Sequence, residues 1–211
     1  MWNWGCFLKS GHADSFFFYN FVKVTGVYPG FLFFRPKRLH MEGKTSLKGP
    51  CLVVANHNSM SDPIYIMCSI PSRSPVFVAS SDLFRTRLGR WFFTHVHCIE
   101  VNKENFSMST FHGVRDNLEK GRMVVIFPEG GLQDKQQVNP FKDGAAMMAM
   151  RCKVPIIPIY VKPRKHWYER ITIAIGRRIE AQGQLNMETV RSISKELYEA
   201  EVRLKGFCEK S

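Results

Sequence analysis

Cys51-Leu-Val-Val-Ala55, running straight into Asn56-His57-Asn-Ser-Met-Ser-Asp62-Pro63, is the stretch whose reading decides the fold. Five consecutive apolar residues without polar alternation describe a strand buried on both faces, as in a sheet covered by helices on either side. A polar loop follows, and Ser61, Asp62 and Pro63 then read as a helix start, with a polar cap and proline in the first turn.

The same pattern repeats outward from there. Leu39 and Met41 alternate with polar residues, and Gly43 to Pro50 reads as a turn. Val76–Ala79, Met123–Phe127, Ile156–Val161 and Ile171–Ile175 read as further strands. Between Asn105 and Lys120, Phe111, Val114 and Leu118 fall on one helical face, and Gly121 stops the helix. Val190, Ile193, Leu197 and Leu204 mark an amphipathic terminal helix. Short apolar strands alternating with helices predict an α/β fold: a mostly parallel or mixed sheet covered by helices. There is no internal repeat and no low-complexity tract. The expected organisation is an aromatic-rich segment over residues 1–36 and one folded domain over 37–211.

Composition narrows the function classes. The chain has 211 residues, 45% hydrophobic and 23% charged, which excludes a disordered chain and a multi-spanning membrane protein. Thirty Lys and Arg against 18 Asp and Glu leave a net charge of +12, so a polyanionic partner is expected, either nucleic acid or an anionic lipid surface. Ser15 to Phe34 (SFFFYNFVKVTGVYPGFLFF) holds seven phenylalanines, but Lys23, Gly26, Pro29 and Gly30 interrupt it. A spanning helix needs about 20 predominantly apolar residues. One or two short helices in the membrane interface are therefore expected in preference to a span, and a helix packed on the domain's own core is the third reading. Trp2 and Trp4 upstream, and Arg35, Lys37 and Arg38 downstream, suit headgroup depth. Six scattered cysteines without a C-x-x-C pair point to free thiols in a reducing compartment, and so to the cytoplasmic face of a membrane.

Three constellations carry chemistry. His57 and Asp62 are five residues apart, so a turn can bring the carboxylate to one imidazole nitrogen and leave the other to take a proton. The same pair would also serve as a polar cap at a helix start. Phe127-Pro128-Glu129-Gly130-Gly131 follows a buried strand, and its glycines let backbone N–H groups approach a polar headgroup; an ordinary turn has the same composition. Val154-Pro155-Ile-Ile-Pro158-Ile159 is a strand flanked by prolines, which suits a sheet edge or a strand start.

In this order and spacing, the three resemble the motifs of the glycerolipid acyltransferase family, in particular its PlsC-like 1-acylglycerol-3-phosphate acyltransferases. The first motif, N-H-x-x-x-x-D, matches at Asn56, His57 and Asp62. The third, F-P-E-G-T-R, matches at Phe127, Pro128, Glu129 and Gly130, and the fourth, V-P-I-x-P, at Val154, Pro155, Ile156 and Pro158. Leu83-Phe84 through Leu88-Gly89 and Trp91, and Phe141 to Ala145 with the helix after it, also look like the family.

The resemblance implies transfer of a fatty acyl group from a thioester, acyl-CoA or acyl carrier protein, to a lysophospholipid hydroxyl. It implies His57 as base and Asp62 as its partner, with Asn56, Lys103, Glu129, Gly130 and Gly131 against substrate. No bound cofactor and no metal are implied. Two positions depart from the family: Gly131 and Leu132 stand where Thr or Ser and then Arg are usual, and Lys103 stands where the second motif usually ends in Arg. Those arginines hold the acceptor phosphate in the family's pattern, so an acceptor other than lysophosphatidic acid is an alternative. A non-catalytic lipid-binding relative is a second one, with the intact His57 and Asp62 against it.

Two rival classes are weaker. His95-Val-His97-Cys98 would place two imidazoles on one face of a strand, yet no second cluster supplies the three or four ligands of a zinc site. The basic residues are spread out and no nucleic-acid motif is present, so nucleic acid is not expected as a partner and an anionic membrane surface is. Oligomeric state is not encoded in any pattern found.

Overall fold

The computed structural model describes residues 11–102, 107–128, 143–164, 166 and 168–211. In chain order, helix α1 (Gly11–Val22) runs through a π turn (Lys23–Val27) into α2 (Tyr28–Phe34). There follow β1 (Lys37–His40), β2 (Cys51–Ala55), α3 (Asp62–Ser69), β3 (Val76–Ser80), a 3₁₀ turn (Ser81–Phe84) and α4 (Arg87–His95). Then come β4 (Ile99–Val101), α5 (Met108–Glu119), β5 (Met123–Ile126), α6 (Gly144–Cys152), β6 (Ile156–Val161), β7 (Thr172–Ile175) and α7 (Met187–Glu209).

The strands form one sheet in the order β1-β7-β6-β2-β5-β3-β4, parallel throughout except for the antiparallel pair β6–β7. The mixed α/β sheet expected from the sequence is the one observed. Central strands are apolar because both faces are covered. Cys51, Val53 and Ala55 face a layer that includes Ile66 of α3 and Val27 of the N-terminal helix. Leu52 and Val54 face the opposite layer, with Val114 of α5, Ala149 of α6 and Leu197 of α7. Helix starts are capped as their sequences dictate: Ser107 Oγ accepts from Thr110 N, and Asn186 Oδ1 from Thr189 N.

Three features differ from expectation. Strand β6 is interior, between β7 and β2, although Pro158 sits in its middle; a sheet edge was one of its two readings. Proline offers no N–H to a ladder. On that side β7 has ended at Ile175, and Gly176 passes over Pro158 and donates its N–H to the Pro158 carbonyl at 2.9 Å. A Cβ on Gly176 would stand 2.8 Å from Pro158 Cγ, so the glycine is what leaves room for the ring. Second, α4, β4 and the 3₁₀ turn were not legible as elements. His95 ends α4 and His97 has φ of 60°, so the two imidazoles do not share a strand face. They pack separately, His95 against Trp91 and His97 against Tyr19. Among the described residues, no three His, Cys, Asp or Glu side chains are placed to hold a metal ion.

Third, the N-terminal segment, expected as one or two short helices, is a single run that is longer than that and is widened by the π turn around Gly26. Among the described residues, no helix is long and apolar enough to cross a membrane. The run is two-sided. Inward, Tyr19 and Val27 are buried, the Tyr19 hydroxyl donates to the Pro75 carbonyl, and Lys23 Nζ donates to the Arg73 carbonyl and Ser74 Oγ. Gly30 lies so close to α3 that a Cβ there would be 2.9 Å from Cys68 Sγ. Outward, Phe17, Phe21, Val24, Tyr28, Leu32 and Phe33 are exposed.

Candidate active site

Strands β2, β5 and β6 run parallel, so their carboxyl ends open on one edge of the sheet, the edge where α/β folds place ligands. His57 leaves the end of β2, Phe127 the end of β5 and Lys162 the end of β6.

Asn56 is the first residue past β2 and is 2% exposed. Its carboxamide grips the end of β6 twice: Nδ2 donates to the Val161 carbonyl at 3.0 Å, and Oδ1 accepts from the Val161 N–H at 2.6 Å. This use differs from the substrate contact expected of Asn56. The side chain ties two strand ends together and so fixes where the next residue, His57, emerges.

The loop from His57 to Asp62 closes around one carboxylate oxygen. Asp62 Oδ2 accepts from the N–H groups of Asn58 and Ser59, both at 2.7 Å, and lies 3.2 Å from His57 Nδ1. The Asp62 side chain is nearly buried, at 3%, and that of His57 is 17% exposed. A buried carboxylate needs such partners. The first turn of α3, where Asp62 sits, also favours negative charge through the helix dipole. In a neutral imidazole this contact favours the tautomer with the proton on Nδ1 and the lone pair on Nε2. The ring is held from its face as well: Phe127 stacks on it at 4.4 Å and 25°, and Phe77 backs Phe127 at 6.4 Å and 8°. Met60, within the loop, and Ile64, in the first turn of α3, are exposed apolar side chains close in sequence to this pair.

His57 and Asp62 thus meet as their spacing predicts, with Asn56 immediately behind them. Lys103, Glu129, Gly130 and Gly131 lie outside the described residues, as does Leu132. Sequence reasoning did not find the Asn56–Val161 clasp or the stacking of Phe127. The only available signal was that both partners stand at strand ends.

Residues 38–162 match the Acyltransferase family model. The putative 1-acyl-sn-glycerol-3-phosphate acyltransferase acl-2 of Caenorhabditis elegans is 26% identical over 191 residues, covering 88% of this chain and 63% of that protein. The 1-acyl-sn-glycerol-3-phosphate acyltransferase of Streptococcus pneumoniae is 29% identical over 109 residues, 51% of this chain and 40% of that one. Human 1-acyl-sn-glycerol-3-phosphate acyltransferase beta is 27% identical over 121 residues, 56% and 44%. The chain therefore spans 40–63% of the length of these relatives. The crystal structure of the 1-acyl-sn-glycerophosphate (LPA) acyltransferase PlsC from Thermotoga maritima superposes with a TM-score of 0.64 at 17% identity. That superposition covers 95% of this chain and 84% of the other, and shows a shared fold. The family match takes in more than half of the sequence, both strands that meet at Asn56 and the His57–Asp62 loop between them: the chain belongs to the acyltransferase family.

Proposed function

We propose that this protein transfers a fatty acyl group from a thioester of coenzyme A or acyl carrier protein to the hydroxyl of a lysophospholipid. The observation that carries the reading is the Asp62 carboxylate, bound by two backbone N–H groups and aimed at His57 Nδ1. A hydroxyl attacks a thioester poorly until a base takes its proton, and a positioned neutral imidazole is such a base near neutral pH. His57 Nε2 takes the acceptor proton as the oxygen bonds to the thioester carbonyl carbon. Asp62 stabilises the imidazolium that forms. The tetrahedral oxyanion collapses, the C–S bond breaks, and the thiolate recovers the proton from His57. The products are an ester and a thiol, and the transfer needs no resident cofactor, no metal and no acyl-enzyme.

The printed names of the relatives favour a 1-acylglycerol-3-phosphate acceptor. The replacements at Lys103, Gly131 and Leu132 favour an acceptor with a different headgroup. Residues 1–36 act as the membrane-associating part of the chain, through the exposed stripe from Phe17 to Phe33, on the cytoplasmic face of an anionic membrane. The remainder, 37–211, is the catalytic unit.

The test is mass spectrometry of lipids formed when purified protein meets a mixture of lysolipids and acyl thioesters. A new diacyl product that depends on His57 supports the reading. Absence of acyl transfer to every lysolipid, with the protein folded, rejects it.

A further inference from the structure

Helix α4 has no buried residue, although its sequence, Arg-Leu-Gly-Arg-Trp-Phe-Phe-Thr-His, is two-faced. At helical spacing Leu88, Trp91, Phe92 and His95 fall to one side, and Arg87, Arg90 and Thr94 to the other. A core-facing helix would bury the first group. Here Leu88 is 75% exposed, Trp91 47% and Phe92 38%. Phe93 reaches inward to Phe84, and Phe18 of α1 meets the edges of Trp91 at 4.9 Å and Phe92 at 6.1 Å. Phe18 also meets His95 at 5.8 Å, so those contacts fasten α4 to α1 through one flank of its apolar face and leave Leu88 and about half of Trp91 open.

Charge sets what can cover that face. From Arg85 to Ile99 there is no acidic residue, and Arg85, Arg87 and Arg90 are exposed. The acid paired with Arg85 is Asp82, at 3.7 Å and itself exposed, where solvent screens the pair. Phe18, which holds Trp91, is half-buried and directly follows Phe17, where the exposed stripe of the N-terminal helix begins.

We propose that α4 is a second membrane-docking element, which reads anionic headgroups through Arg87 and Arg90 while Leu88, Trp91 and Phe92 enter the interface. The proposal rests on the membrane association put forward above and assigns its charge selectivity to α4. An acidic protein would satisfy the arginines but leave the Phe17–Phe33 stripe in water. A second copy of this chain, at +12, would set arginines against arginines. An anionic bilayer covers both apolar faces at once and meets every cation with a phosphate. Tryptophan beside arginine on an amphipathic helix is the composition that interfacial depth selects.

The test uses the full chain with phosphatidylcholine vesicles made with and without phosphatidylglycerol. Each basic residue near an anionic surface strengthens binding roughly five-fold, so Arg87→Gln with Arg90→Gln should weaken co-sedimentation with the anionic vesicles by about 25-fold. Binding to pure phosphatidylcholine, carried by the apolar faces, should not change. Acyl transfer to detergent-dispersed lysolipid should stay at the parental rate, which separates this proposal from the catalytic reading.

A second measurement keeps Trp91 as the only tryptophan, through Trp2→Phe, Trp4→Phe and Trp167→Phe. Its fluorescence should be quenched by brominated phosphatidylcholine in anionic vesicles. Equal binding by the arginine variant, or an unquenched Trp91 on a vesicle-bound chain, overturns the proposal. Protection of Trp91 by acyl carrier protein or by self-association, but not by vesicles, assigns the face to a protein instead. Failure of the intact chain to bind any vesicle overturns both this proposal and the membrane association beneath it.

Discussion

Asn56 and Val161, 105 residues apart in the chain, exchange two hydrogen bonds in which one side-chain amide satisfies both backbone groups of a strand's last residue. Asn56→Ala would leave a buried N–H and weaken the satisfaction of a buried carbonyl. An unmade buried hydrogen bond costs about 1–3 kcal/mol, so the variant should lose about 2–4 kcal/mol of stability. Urea denaturation measures it. A midpoint equal to the parent's would show that the clasp contributes nothing.

His57→Ala and Asp62→Asn address the chemistry directly. Loss of a positioned base costs ~10²–10⁴-fold in rate, and His57→Ala should fall in that range with its fold intact. Asp62→Asn loses the charge that steadies the imidazolium, so it too should be severely slowed. Initial rates with a single lysolipid decide the matter, and near-parental turnover by either variant rejects its assigned role.

The acceptor can be probed where the sequence leaves its family. A charge-assisted hydrogen bond to phosphate is worth about 1.5–3 kcal/mol, or roughly ten-fold and more in binding. With Leu132 in place of arginine, Leu132→Arg should improve use of lysophosphatidic acid relative to the preferred acceptor, and Lys103→Ala should do modest harm. Competition assays between lysolipids read both. If the unaltered protein already prefers lysophosphatidic acid and Lys103→Ala abolishes that preference, Lys103 is the phosphate contact and the alternative acceptor is wrong.

Tyr19 gives a pH dependence. Burial pushes its phenol from the usual 10 up to about 12. A group whose pKa is higher in the folded state contributes stability that is complete below its unfolded pKa and vanishes as pH rises through the folded one. Between pH 10 and 12 the parent should therefore lose on the order of 2 kcal/mol that Tyr19→Phe does not lose. Denaturation series at alkaline pH compare the two, and parallel curves would show that the phenol is not linked to folding.

The fold was most legible where burial is symmetrical. Cys51–Ala55 and Ile156–Val161 are covered on both faces, so their apolar runs marked them to the residue. Helix α4 and strand β4 gave no such mark. No residue of α4 is buried, and β4 is three residues long at the end of the sheet. The approach of Asp62 to His57 was legible because it is local, one turn across a five-residue spacing. Phe127 on His57 and Val161 on Asn56 were not, because their meeting depends on strand order, which no local pattern carries. Pro158 misled for a similar reason: the residue that accommodates it, Gly176, belongs to another strand's end.

The two-sidedness of the Gly11–Phe34 helical run decides how its exposed apolar stripe can be removed. Cutting the run away would strip Val27 and Tyr19 from the interior and uncover α3, the helix that begins with Asp62. The product would be stickier than the parent, since a fresh apolar surface replaces the old one. Repainting succeeds where truncation fails: polar residues at Phe17, Phe21, Val24 and Leu32 alter only the outer stripe and leave the inner contacts whole.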